Sequence, residues 1–118
     1  MANNVIKEKS FGFAIRVVNL YKYLVDKKHE FVMSKQFLRS GTAIGALVRE
    51  AQNAESKADF IHKLAIAQKE CDETMYWIEL MKETNYLNKK EFEEIYNDAQ
   101  ELLKIIRSII LTSKQKNS

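Results

Sequence analysis

Residues 36–52, QFLRSGTAIGALVREAQ, and residues 56–70, SKADFIHKLAIAQKE, constrain this chain more than any other stretch. They read as two amphipathic helices joined by a very short turn, with two glycines inside the first. A glycine in a helix interior costs about 1 kcal/mol relative to alanine, so Gly41 and Gly45, one turn apart, require a packing reason. Both fall on the same side as Phe37, Ile44, Val48 and Ala51. The expected reason is close approach to a neighbouring helix, admitting an aromatic such as Phe13 or Tyr21. Close approach to a ligand is the alternative.

The remaining punctuation gives four helices. Ser10 is a competent N-cap and predicts helix one over about 10–28, with Phe13, Val17, Leu20 and Leu24 at the helical period. After a loop through His29, Ser34 is the expected N-cap of helix two, over about 34–54. Ser56 and Asp59 form a Ser-x-x-Asp capping box, and Asn88 with Glu91 repeats the device. Helices three and four then span about 57–84 and 89–113. The helix-three seam is Phe60, Leu64, Ala67, Cys71, Thr74, Ile78 and Met81. The helix-four seam is Phe92, Tyr96, Ala99, Leu103, Ile106 and Ile110. With no proline, three glycines and 46% hydrophobic residues, nothing interrupts these helices. Short connections make successive helices antiparallel, so the expected fold is all-α: a single-domain, up-down-up-down four-helix bundle over residues 1–118. The tail from Lys114 to Ser118 is polar and expected to fray.

The chain is long enough to bury a core without disulfides or metal. One cysteine, Cys71, excludes an intrachain disulfide framework and fits a reducing cytoplasm. No window approaches 18 apolar residues, and the start of the chain has no apolar stretch of the signal-peptide kind, so a cytoplasmic protein with no membrane partner is expected. Net charge is +3 but uneven. Residues 1–57 carry 10 Lys and Arg against 5 Asp and Glu, whereas residues 58–118 carry 9 against 11. A basic half can serve an anionic partner, and it can equally be solvated surface.

Enzymatic chemistry finds no support. A di-iron bundle needs inward Glu residues and Glu-x-x-His pairs; Glu70 is followed three residues later by Glu73, not His. His29 falls in a loop, and His62 has no Glu three residues before it. Cys71 lies on a seam and should act as a small apolar filler. No glycine-rich phosphate loop, Ser/His/Asp order or HExxH occurs. No catalytic residue, metal site or cofactor is expected.

Two outer faces carry the remaining signal. Ile66, Trp77 and Leu80 cluster around Glu73 on helix three, roughly 110–130° from its seam. A second apolar stripe points to contact with another copy, or to the flank of a wide bundle. On helix two, Lys35, Arg39, Thr42, Ala46, Arg49 and Asn53 form a narrow stripe of cations and small residues. It can lie against nucleic-acid phosphates, or its arginines can pair with Glu70 or Glu73. With Arg16 and Lys22 added, the nucleic-acid candidates are Arg16, Lys22, Lys35, Arg39 and Arg49.

The segments QFLRSGTAIGA at 36–46, Glu50-Ala51, SKADF at 56–60 and LAIAQKECDETMYW at 64–77 resemble the four-helix bundle family encoded by intervening sequences in bacterial large-subunit (23S) ribosomal RNA genes. The resemblance runs over about residues 9–112, nearly the whole chain. One position departs from it: Leu47 stands where many members carry Asn. The family has no established activity. The resemblance implies a homo-oligomer, a pentamer of bundles above all. The accessory proteins of diversity-generating retroelements are similar in fold and form a basic pentameric barrel that binds nucleic acid and a reverse transcriptase. Two functional expectations result. One is a non-enzymatic oligomer that binds RNA or DNA through backbone phosphates. The other is a protein-interaction scaffold whose arginines are structural.

Overall fold

In a computed structural model that describes residues 2–116, the chain forms four α-helices: α1 (Ala2–Asp26), α2 (Met33–Gln52), α3 (Lys57–Glu83) and α4 (Lys89–Gln115). They lie side by side in a rod of 50 × 21 × 20 Å. Each helix packs on its neighbours in sequence, and α4 returns against α1 to close the bundle. Cross-helix pairs run in opposite numerical directions, which makes every neighbouring pair antiparallel. Lys63 reaches Glu50 while Arg39 reaches Glu70 and Glu73. Lys9 reaches Glu101 while Arg16 reaches Asp98.

The glycines of α2 show why α1 lies where it does. A Cβ on Gly41 would fall 2.8 and 2.9 Å from the two Val17 methyls, and one on Gly45 would fall 3.2 Å from the Ser10 carbonyl oxygen. The expected helix-to-helix approach is present, but its partners are Val17 and the Ser10 backbone rather than Phe13 or Tyr21. Gly12, by contrast, has nothing within 4 Å of where a Cβ would sit.

Helix α1 begins well before Ser10. That residue is 1% exposed and its hydroxyl donates to the Lys7 carbonyl at 3.2 Å. Residues 2–9 contain no helix breaker, and Ile6 continues the buried face of Phe13, Val17 and Leu24, so the helix extends back to reach another core position. Ser34 does not cap α2 either. It is fully buried, one residue inside the helix, and its hydroxyl donates to the Glu30 carbonyl at 2.7 Å. The cap is the Glu30 carboxylate, which accepts the amides of Val32 (3.2 Å), Met33 (3.1 Å) and Ser34 (2.6 Å). It satisfies three of the orphan donors of the first turn with a negative charge at the positive end of the helix.

Ser56 caps α3 by accepting from the Asp59 amide at 3.0 Å, but the Asp59 carboxylate accepts the Glu55 amide at 3.2 Å rather than that of Ser56. The expected reciprocal box therefore forms only at α4, where Asn88 and Glu91 cap each other's amides at 2.8 Å. The α3 seam is buried from Leu64 to Met81, with Phe60 half-buried at its start. The α4 seam is rotated. Ile95, Leu102 and Ile109 are buried beside Ala99, Leu103 and Ile106, while Phe92, Tyr96 and Ile110 stay half-buried at the flank. Phe92 and Tyr96 stack there at 4.9 Å, and the Tyr96 hydroxyl donates to Glu79 at 3.0 Å. A tyrosine whose polar tip must reach solvent or a partner favours a flank over the centre. Helix α4 continues to Gln115, so Lys114 and Gln115 are helical; Asn117 and Ser118 lie outside the described residues.

Two predictions come from this packing. Gly41→Ala should lower stability by about 1–2 kcal/mol in urea titrations, because the stiff, buried Val17 cannot yield and overpacking outweighs the gain in helix propensity. Gly12→Ala, with open space, should instead raise it by about 0.5–1 kcal/mol. The second concerns Glu30. Burial pushes its carboxyl up, but the amides of Ser34, Met33 and Val32 outweigh that and hold it below the usual carboxylate range. Its contribution is therefore fully present above the unfolded-state pKa and is lost as pH falls through the lower folded value. Glu30→Gln should cost about 1 kcal/mol near neutrality and flatten the acid limb of the melting temperature against pH.

Candidate functional site

The outward side of α2 carries the stripe read from the sequence: Lys35, Arg39, Ala46, Arg49 and Asn53 are exposed and Thr42 is half-buried. Its cations differ in what they meet. The Arg39 guanidinium leans across the α2–α3 groove onto two carboxylates, pairing with Glu73 and lying 3.3 Å from Glu70 Oε1. Hydrogen bonds to Glu70, then to Glu73, raise its pKa. Glu73 Oε2 also accepts the Trp77 indole N–H at 3.4 Å. Glu70 Oε1 is buried and accepts no hydrogen bond. The cluster holds two negative charges against one positive.

Arg49 turns the other way, toward α1, and sits 5.1 Å from the centroid of the Phe11 ring. Such a cation–π contact at an exposed site contributes about 0.5–1 kcal/mol. Arg16, on α1, pairs with Asp98 of α4. Lys22 and Lys35 are exposed, and among the described residues neither forms an ion pair with an acid. The five candidates therefore do not converge. Arg39 and Arg16 are engaged by carboxylates in two different grooves, while Lys22, Lys35 and Arg49 are not.

The second stripe of α3 is half-buried at every position: Ile66, Glu73, Trp77 and Leu80. Trp77 packs against the core edge and meets the exposed Tyr76 edge-on at 5.0 Å. A second apolar area lies on α1, where Phe11 and Ile15 are 53% and 48% exposed. Sequence reading did not single out this pair. Phe11 and Ile15 are four apart on one helical face, a signal present in the pattern.

Cys71 is fully buried, its Sγ donates to the Ala99 carbonyl at 3.2 Å, and burial pushes the thiol up to about 12. Among the described residues no three His, Cys, Asp or Glu side chains are grouped to hold a metal ion. No described helix is long and apolar enough to cross a membrane.

Comparison with known proteins adds the family. A family model described as "23S rRNA-intervening sequence protein" matches residues 2–108. The chain belongs to that family. A 1.70 Å crystal structure from Bacteroides thetaiotaomicron VPI-5482, described as a protein with unknown function from the S23 ribosomal protein family, is 57% identical. It covers 93% of this chain and 98% of its own, with a TM-score of 0.92. No curated protein matches significantly. Leu47, where the resemblance departs, packs half-buried against the core in this family member.

The Arg39 cluster yields a prediction. Arg39→Ala leaves Glu70 and Glu73 facing each other without a cation. Stability should fall by about 1 kcal/mol or less, because the guanidinium is half exposed and screened. Adding Glu73→Gln should recover part of that loss. A double-mutant cycle in urea reads the coupling, and additive effects would show that the pair does not interact.

Proposed function

We propose that this member of the family is a non-enzymatic, self-associating helical scaffold whose arginines are mainly structural. The observation that carries the reading is the engagement of Arg39 by Glu70 and Glu73. The central cation of the stripe is committed to the fold rather than offered to phosphate. The partner is a second copy of the chain. One face, between α1 and α2, offers Phe11, Ile15 and Arg49; the adjacent face, between α2 and α3, offers Tyr76, Trp77 and Ile66 around a cluster with one surplus negative charge. Unlike faces meeting head to tail close into a ring when the rotation between copies divides a full turn. Faces about 90° apart on a square bundle suit a ring of about four or five, and five is the number that the family resemblance implies. A reducing cytoplasm is the compartment that the lone buried thiol fits.

A second reading, binding of RNA or DNA through backbone phosphates, keeps one specific support. Lys22, Lys35 and Arg49 have no carboxylate partner among the described residues. That contact would depend steeply on salt.

Sedimentation velocity separates the two. The chain should run as one small closed oligomer at micromolar concentration. Phe11→Glu and Ile66→Glu should each release monomers of unchanged helicity. A monomeric parent chain sinks the scaffold reading. RNA affinity that falls with salt and is lost in Lys35→Ala plus Arg49→Ala, but kept in Arg39→Ala, would favour the second reading instead.

A further inference from the structure

Phe31 and Val32 are consecutive, 55% and 74% exposed, and sit in the connection between α1 and α2, at one end of the rod. Val32 is the most exposed large apolar side chain among the described residues. A loose loop would normally fold such side chains inward, but this loop is held. His29 takes the left-handed backbone conformation, with φ of 54°, and the Glu30 amide bonds to the Leu24 carbonyl at 3.0 Å. The buried Glu30 carboxylate then holds the amides of Val32, Met33 and Ser34. The display of Phe31 and Val32 is built into the cap, so the ordering cost of presenting them to a partner is met during folding.

The α1–α2 side of this end is basic, whereas the α3–α4 turn at the same end is mixed, with Lys82, Lys89 and Lys90 against Glu83, Glu91, Glu93 and Glu94. Within residues 22–35 the cations are Lys22, Lys27, Lys28 and Lys35, all exposed, and the one exposed acid is Asp26. Lys28 Nζ lies 6.0 Å from the centre of the Tyr23 ring, with the remaining lysines free of ion pairs among the described residues. We propose that this corner of the bundle docks on an anionic lipid surface, with Phe31 and Val32 entering the headgroup boundary and Lys27, Lys28 and Lys35 meeting the headgroups.

Two observations favour lipid over nucleic acid. The N-terminus of α2, an ordinary cradle for a phosphate, is already filled by the Glu30 carboxylate. Val32, the more exposed of the pair, has no ring on which a base can stack. An exposed apolar pair flanked by lysines on the α1–α2 side of the bundle end matches a bilayer surface met at that corner, where apolar burial and lysine attraction act together. No described helix is long and apolar enough to cross a membrane, and contact with a bilayer surface requires no such helix. The contact belongs to a single chain and does not rest on self-association, although copies in a ring would add avidity.

Vesicle sedimentation at low salt with the full chain tests this, using phosphatidylcholine alone and phosphatidylcholine mixed with phosphatidylglycerol. The chain should sediment with the anionic vesicles only. Phe31→Ser plus Val32→Ser, and separately Lys27→Glu plus Lys28→Glu, should each cut the affinity roughly tenfold or more without changing the melting temperature. A Val32→Trp chain should show a blue shift in emission with anionic vesicles, beyond any shift of the parent. No binding to anionic vesicles overturns the proposal, and so does binding that survives loss of Phe31 and Val32. Single-stranded RNA bound in place of vesicles, and lost with the same substitutions, assigns the corner to nucleic acid and overturns it as well.

Discussion

The contact between α1 and α2 at Gly41 and Gly45 sets the geometry on which the outer surface depends. Where a side chain would stand, α2 instead receives the Val17 methyls and the Ser10 carbonyl. Two helices drawn this close have little freedom to roll about their axes, since any rotation drives a neighbour into the space that glycine leaves. Fixing the roll of α2 fixes which of its outer residues lean toward α1 and which toward α3. Arg49 is therefore carried to Phe11, and Arg39 to Glu70 and Glu73. Substitution at a buried glycine would disturb surface chemistry on both sides of the helix.

A run of cations at helical spacing looks like one binding face on a wheel, yet the bundle splits it between two grooves. The split follows from packing: a stripe centred opposite the core must have one edge facing each neighbouring helix. The edge facing α3 meets acids, because α3 carries Glu70 and Glu73 there. The edge facing α1 meets an aromatic ring. Charge that appears concentrated in the sequence is thus partly neutralised in the fold, and what remains available lies toward the α1–α2 corner.

The legible parts of this chain were those in which local chemistry and packing agree. Ser56 and Asn88 each precede an acid three residues later and each caps its helix, although only Asn88 and Glu91 close the reciprocal box, Asp59 turning to the Glu55 amide. The α2 and α3 seams were readable because one face of each helix is clearly more apolar or smaller than the others. Ser10 and Ser34 misled because a serine can satisfy its hydroxyl on the preceding turn's carbonyl inside a helix, and a sequence does not distinguish that from a cap. Ile6 would have corrected the first, since it extends the buried face. Glu30 was hidden because its partners are consecutive amides whose direction depends on the left-handed turn at His29. On α4 the apolar residues are broad enough to allow two seams, and the polar tip of Tyr96 separates them only once Glu79 is in place.

The same reasoning bears on the exposed apolar residues. Phe11 and Ile15 lie on a helix whose buried side is already complete, whereas Phe31 and Val32 lie in a connection pinned by the Glu30 amide on Leu24 and by the Glu30 carboxylate on the amides of Val32, Met33 and Ser34. Neither pair can be absorbed by a small shift of the monomer, because α1 is held by the Gly41 and Gly45 contact and the loop by Glu30. Apolar area that the fold cannot recover remains available for partners. In this bundle it is located beside the two devices that most restrict movement, so the rigidity of the core and the exposure of its surface have a common origin.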